Sequence, residues 1–253
     1  MKIAISQISP KLSRNNFSLH KMEISKAIPN ADIIVFPELS LNGYMLMDSV
    51  YEDAFFLEEL SVFEDLSRDI DIIIGAATKE AHKIFNSALY FSQGKLLSIH
   101  HKNILPNYGM FQEARFFFRG ESVNSFETQF GRAIMIVCED LWSSGIIDYI
   151  ATQKPALVYV IANSPAREFN NNELGIEKKW DKILSTAAIL SGSHVVFANR
   201  VGFEDGLGFW GGSKIINPAG EVISQALLFD REQLFGTISH GISSVKKYLL
   251  RTN

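Results

Sequence analysis

Three side chains of different chemistry stand where short apolar runs give way to polar sequence. Glu38 follows DIIVFP, Lys102 follows the run 96–101, and Cys138 follows AIMIV. A thiol in such a place is a nucleophile if something lowers its pKa or takes its proton. A carboxylate could serve as the base, and an ammonium beside them completes a set able to act on a polar substrate. Each residue also has a plainer account: a lone cysteine on a strand is usually an inert small hydrophobe, and most glutamates and lysines are solvated. Ligands of α/β sheets collect at the carboxyl ends of strands, so three such coincidences carry more than one. Spacing alone does not bring them into one pocket.

The elements that must position them are legible as short runs rich in β-branched residues. Strands are expected at 3–8, 32–36, 71–76, 87–91, 95–100, 132–138, 156–162, 194–199, 213–216 and 221–224. Several, such as IIVF, IIIGA, IMIV and LVYVI, are apolar without alternation, which is how strands covered on both faces look. Helical spacing lies between them. Phe56, Leu60, Phe63 and Leu66 share a face, as do Ile176, Trp180, Ile183, Leu184 and Ala187, with Glu177, Lys178, Lys179 and Asp181 opposite. A weaker stripe of Leu19, Met22 and Ala27 follows the first strand, and Ile242, Val245 and Leu249 repeat the pattern beside Lys246 and Lys247. Gln93-Gly94 and Asn217-Pro218-Ala219-Gly220 read as hairpin turns. The sum is a mixed-sheet α/β fold, with no linker, repeat or low-complexity block; 167–173, REFNNNE, is the most loop-like segment. One domain over 1–253 is the simplest organisation.

The 253 residues carry 24 Lys+Arg against 28 Asp+Glu, a net charge of −4, and the pI is about 5.9. That balance offers no uniform basic field for a nucleic acid or an anionic membrane. With 47% hydrophobic and 21% charged residues the chain is expected to fold rather than stay disordered. A single cysteine cannot form an intramolecular disulfide. No signal-peptide core and no run of roughly 20 apolar residues is visible. The expected location is the cytoplasm.

The same residues carry a resemblance. FPELSLNGY (36–44), HKNILPNYGMFQEARFF (101–117) and IMIVCEDLW (134–142) resemble the three signature blocks of the nitrilase, or carbon-nitrogen hydrolase, superfamily. Each block surrounds one member of that family's Glu-Lys-Cys triad, and VIANSPARE (160–168) and GGSKIINPAGEVI (211–223) fit as well. LPNYGMFQEARFF and CEDLW are most similar to the glutaminase domain of glutamine-dependent NAD synthetases. Those enzymes append an ATP-using domain with a Ser-Gly-Gly-x-Asp-Ser loop, whereas this sequence ends at Asn253 and offers only Ser191-Gly192-Ser193-His194. On that reading it does not make NAD unaided.

The resemblance implies a four-layer α-β-β-α sandwich of the nitrilase type with mixed sheets. Cys138 would attack the carbonyl carbon, Glu38 would act as general base and then proton donor, and Lys102 with the backbone N–H of Glu139 would hold the oxyanion. Glu113 matches a second glutamate near the lysine; the plainer account is a cap or a pair with Arg115. Tyr44, Tyr108, Trp142, Asn163 and Ser164 are expected to line a substrate pocket, although core packing and turns explain them about as well. The six histidines show no metal spacing, so neither a metal nor another cofactor is expected.

The leading function is hydrolysis of a small amide or N-carbamoyl compound, with a homodimer or higher homo-oligomer as its assembly. The run 230–238 and the short helix after it resemble the C-terminal arm that reaches toward a partner subunit. A second reading is a glutaminase subunit supplying ammonia to a separate synthetase chain. A third, of another class, is a silent binding or scaffold protein on the same fold. Retention of the charged set argues against the third, because a desolvated charge without a task is costly.

Overall fold

The computed structural model describes residues 1–171 and 173–239. Successive residues of a strand point to opposite faces, and here both faces are apolar. Ile3, Ile5, Ile33, Val35, Ile73 and Tyr90 of one sheet meet Met135, Val137, Tyr159, Ile161, Val196 and Ala198 of another in one buried cluster. The intervening residues face outward. Ala4, Ile34, Ile72 and Ile74 pack with Ile24, Ala27 and Phe63 of the helices Phe17–Ala27 and Ser61–Leu66. Ile134, Ile136, Val158 and Val160 pack with Ile150, Ile176, Trp180 and Leu184 of the helices Ser144–Gln153 and Gly175–Ser191. The layers are helix, sheet, sheet, helix, which is why the strands read as continuous apolar runs.

The first sheet runs in the order Glu232–Thr237, Lys2–Gln7, Ile33–Val35, Asp71–Glu80, Lys83–Ser92, Lys95–His101, with Phe55–Phe56 also paired to Asp71–Glu80. The second runs Val222–Gln225, Lys214–Ile216, His194–Asn199, Leu157–Ala162, Gly131–Val137, Ser125–Thr128. Each has three parallel strands in its middle: Lys2–Gln7, Ile33–Val35 and Asp71–Glu80 in one, Gly131–Val137, Leu157–Ala162 and His194–Asn199 in the other. Antiparallel strands extend both sets. Two reversals return Lys95–His101 to the direction of Asp71–Glu80, so Glu38 and Lys102 emerge at the same end of the first sheet. Gln93 and Gly94, with φ of 52° and 81°, make the tight turn that sets this register.

Several expectations are corrected. In Phe17–Ala27 the buried face is His20, Glu23, Ile24 and Ala27, while Met22 is exposed. Two polar residues occupy the inward stripe because each has a buried partner: Ser40 for His20 and Ser6 for Glu23. Phe56 leaves the stripe of Leu60 and Phe63 because it belongs to the short strand beside Thr78 and Lys79. Glu177 and Asp181, placed opposite the apolar stripe, flank the buried ammonium of Lys214 at 3.8 and 2.5 Å. Within 167–173, Phe169–Asn170 pairs with Glu173–Leu174 instead of forming plain loop. Much of 230–238 is the strand Glu232–Thr237, folded into the protein's own first sheet against Lys2–Gln7 rather than extended as an arm. The stripe of Ile242, Val245 and Leu249 lies outside the described residues. Among the described residues no helix is long and apolar enough to cross a membrane.

Candidate active site

Glu38 sits in the turn after Ile33–Val35, fully buried. The turn can form there because Gly75 on the neighbouring strand carries no β-carbon; Leu39, at φ 46°, completes the reversal. Each oxygen of Glu38 has a partner. Oε1 takes Lys102 Nζ at 2.7 Å and Asn86 Nδ2 at 2.7 Å, Oε2 takes the N–H of Asn163 at 2.8 Å, and the main-chain oxygen takes Asn163 Nδ2 at 2.8 Å. The carboxylate is thereby fixed between the two sheets, since Asn86 belongs to the first and Asn163 follows Leu157–Ala162 of the second.

Lys102 continues from Lys95–His101, and its N–H donates to the carbonyl of Asn86 at 2.8 Å. Its ammonium is fully buried, 2.7 Å from Glu38 and 2.8 Å from both carboxylate oxygens of Glu113. Burial alone would lower the pKa of this lysine, but Glu113 first and Glu38 second outweigh it and hold the group well above its ordinary value. Lys102 is therefore a fixed cation. Glu113 opens the turn Glu113–Phe116, and Tyr44 donates its hydroxyl to Oε1 at 2.7 Å. Burial pushes the Glu113 carboxyl up to about 7; Lys102 opposes the rise and Glu38 adds to it. Arg115 faces Asp48 at 3.7 Å instead, so the plainer pairing with Glu113 does not occur.

Cys138 follows Gly131–Val137 and begins the short helix Cys138–Trp142. Its φ of 47° lies in the left-handed region, unusual for a residue with a side chain and a sign of a position held by its surroundings. The thiol is half-buried. Burial, then the charge of Glu38, push its pKa well up, while Lys102 pulls it down. At rest it is a neutral thiol whose proton needs an acceptor. Asp140, two residues on, clasps the elbow to the lysine loop: Oδ1 accepts the N–H of Asn103 at 2.9 Å and of Ile104 at 2.7 Å, and Oδ2 lies 2.9 Å from Nε2 of His100.

Cys138, Glu113 and Asn163 line a narrow cleft, with Tyr44, Glu139 and Trp142 also in its wall. Glu38 and Lys102 lie one residue deeper, bonded to Asn163 and Glu113. Tyr108 is half-exposed and donates to Glu139 at 2.9 Å, which places it at the rim rather than inside. Ser164 also borders the cleft, with its Oγ accepting the indole N–H of Trp180 at 2.9 Å. Asn163 is turned chiefly toward Glu38. Sequence reasoning missed Asn86, Asp140, His100 and Arg167. Arg167 also lines the cleft, its guanidinium over the Phe111 ring at 5.5 Å and its Nε buried without a hydrogen-bond partner among the described residues. The quoted segment around 160–168 held that arginine, but nothing in its spacing marked it.

The family model described as carbon-nitrogen hydrolase matches residues 2–247. A glutamine-dependent NAD(+) synthetase of Acinetobacter baylyi is 32% identical over 240 residues, covering 91% of this chain but only 43% of that protein. The chain thus spans less than half the length of that relative. The crystal structure of a carbon-nitrogen hydrolase from Helicobacter pylori G27 superposes with a TM-score of 0.89 at 22% identity, covering 100% of this chain and 95% of that one. A mutant amidase from Nesterenkonia sp. AN1, which carries the acetamide moiety of fluoroacetamide on its active-site cysteine, superposes with a TM-score of 0.80 at 21% identity, covering 99% and 95%.

Proposed function

The chain belongs to the carbon-nitrogen hydrolase family, and from that premise we propose that it is a thiol amidohydrolase cleaving the C–N bond of a small amide or N-carbamoyl compound. The observation that carries the reading is the buried contact of Glu38 with Lys102 at 2.7 Å beside a half-buried thiol on which both charges act. The described fold is expected to work as one carbon-nitrogen hydrolase domain.

In the first half-reaction the Cys138 proton passes to Glu38 as sulfur bonds to the carbonyl carbon. The C=O π pair moves to oxygen, which Lys102 and the N–H of Glu139 receive. Removing one donor of this kind costs about 3 to 4 kcal/mol of transition-state stabilisation. The oxyanion then reforms the carbonyl, the C–N bond breaks, and Glu38 returns the proton to the departing nitrogen as ammonia or amine. In the second half water adds to the thioester, giving one proton to Glu38; collapse releases the acid, and that proton returns to sulfur. Lys102, held by two carboxylates, keeps its charge through both halves.

The cleft wall favours a second reading within the same chemistry. Arg167 and Glu139 place opposite charges in it, with Glu139 oriented by Tyr108. Such a pair suits a zwitterion, and the likeness to NAD synthetases points to glutamine as the amide, with the ammonia passed to a separate synthetase chain. The proposal extends to a cytoplasmic homodimer or larger homo-oligomer of this chain, checked by light scattering.

Ammonia release from a panel of amides, carbamoyl compounds, nitriles and glutamine tests the reading, with the Cys138→Ala protein as blank. Turnover of one or more amides above the blank is expected; release no faster than the blank across the panel overturns it. Glutamine turnover that rises on adding a synthetase chain selects the second reading.

A further inference from the structure

The hairpin of Val201–Glu204 and Leu207–Trp210 belongs to neither large sheet, and its strands do not line the cleft. One residue of it nevertheless reaches the loop that carries Tyr44. Glu204 Oε1 accepts the N–H of Tyr44 at 2.8 Å and of Met45 at 2.7 Å, while Oε2 meets Arg200 Nη1 at 2.9 Å. Arg200 is fully buried, lies over the Phe209 ring at 4.4 Å and donates from Nη2 to the carbonyl of Pro10 at 3.2 Å. The approach has no slack: a β-carbon on Gly43, at φ 83°, would stand 2.8 Å from Glu204 Oε2 and 2.8 Å from Leu12 Cα.

Beyond Tyr44 the contacts run on without a gap. The hydroxyl meets Glu113 at 2.7 Å, Glu113 meets Lys102 at 2.8 Å, and Lys102 meets Glu38 at 2.7 Å. A carboxylate that takes two consecutive N–H groups fixes the backbone between them, and with it the direction of the intervening side chain. Neutralising Arg200 alone would not require both of those bonds. We infer that Glu204 is a positioning residue, which through the backbone of Tyr44 sets where the Tyr44 hydroxyl meets Glu113 and so steadies the carboxylate facing Lys102. The inference rests on the proposed reading in treating Lys102 and Glu113 as part of the reacting set.

Cys138 is the one cysteine of the chain, so its alkylation by iodoacetamide, followed by intact mass against pH, reads the site with no substrate. Lys102, Glu38 and Tyr44 are the groups that act on Glu113, and its ionisation gives the wild-type profile an inflection near pH 7. Tyr44→Phe removes a donor to the anion and is expected to move that inflection up by roughly half to one pH unit. Glu204→Leu, which removes both acceptor oxygens, is expected to move it the same way, and the double variant no further. A folded Glu204→Leu protein with an unmoved inflection, or additive shifts in the double variant, overturns the inference.

Glu204→Leu leaves Arg200 buried without its anion and risks the fold. Glu204→Asp keeps that charge and shortens its reach by one methylene, so it decides the matter if the first variant does not fold. A smaller upward shift is expected of it; none overturns the inference. A protein that shows these shifts but hydrolyses no amide keeps the inference and loses the amidase reading. Amide turnover without the shifts does the reverse.

Discussion

A β-carbon placed on Gly75 would lie 2.7 Å from the Cα of Glu38, and closer still to the main chain on either side, 2.4 Å from the Pro37 oxygen and 2.5 Å from the Leu39 nitrogen. No real side chain tolerates such contacts with backbone. Gly75→Ala is predicted to lower stability by about 1 to 3 kcal/mol through overpacking. It is also predicted to cut kcat/KM by roughly a hundredfold, because an ångström of misplacement at Glu38 is enough. Urea midpoints and initial rates on an amide that the wild type hydrolyses check both. Native kinetics in the variant would contradict the claim that Gly75 sets the carboxylate.

Cys138 occupies left-handed backbone at φ 47°. Cys138→Ala and Cys138→Gly should both abolish turnover, since each removes the sulfur. Only the glycine variant relieves the backbone, so it is expected to be more stable than the alanine variant by up to about 1 kcal/mol. Thermal melts of the pair decide this, and an alanine variant that melts higher would show the elbow to be unstrained.

Glu113 titrates near pH 7 because burial disfavours its anion. Below that pH Lys102 faces one ionised carboxylate instead of two. The kcat/KM of the wild type should therefore fall as pH drops through about 7. Glu113→Gln should run more slowly and lack that limb. A variant profile that keeps the limb assigns it to another group.

His20 lies wholly buried between Asn16 and Ser40, and desolvation lowers its pKa from 6.5 to about 4. Between those values the unfolded chain binds a proton that the folded chain refuses, so stability falls as pH falls through the window. The loss approaches about 3 kcal/mol, from 1.36 kcal/mol per unit. Glu113, with its folded pKa raised, contributes with the opposite sign from about 4.5 to 7. The comparison is therefore between wild type and His20→Gln, which share Glu113. Urea midpoints at pH 7.5 and 4.5 should show wild type losing more than the variant; parallel losses would remove His20 as the cause.

That helices cover the sheets was legible in the sequence because the central strands are apolar on both faces, as IIVF and LVYVI announce; the four-layer sandwich was an expectation of the resemblance. Glu38, Lys102 and Cys138 stood out as candidates because each follows a strand-like run. What was hidden depends on distance along the chain. Asn86 meets Glu38 across 48 residues, Asp140 meets Ile104 across 36, and Glu204 meets Tyr44 across 160. No local pattern encodes those meetings. The stripe of the first helix was drawn through Met22 instead of His20 and Glu23 for a related reason: a polar residue on an inward stripe looks like an error until Ser40 and Ser6 are seen opposite.

The antiparallel pairing of Lys2–Gln7 with Glu232–Thr237 joins segments that leave the ribosome far apart in time. At 5 to 20 residues per second the earlier strand waits roughly ten to fifty seconds for its outer neighbour. Until then the nascent first sheet has a bare rim, open to other chains or to chaperones. Glu232–Thr237 is in this sense the cover of Lys2–Gln7, and errors late in translation should yield aggregation of the uncovered sheet.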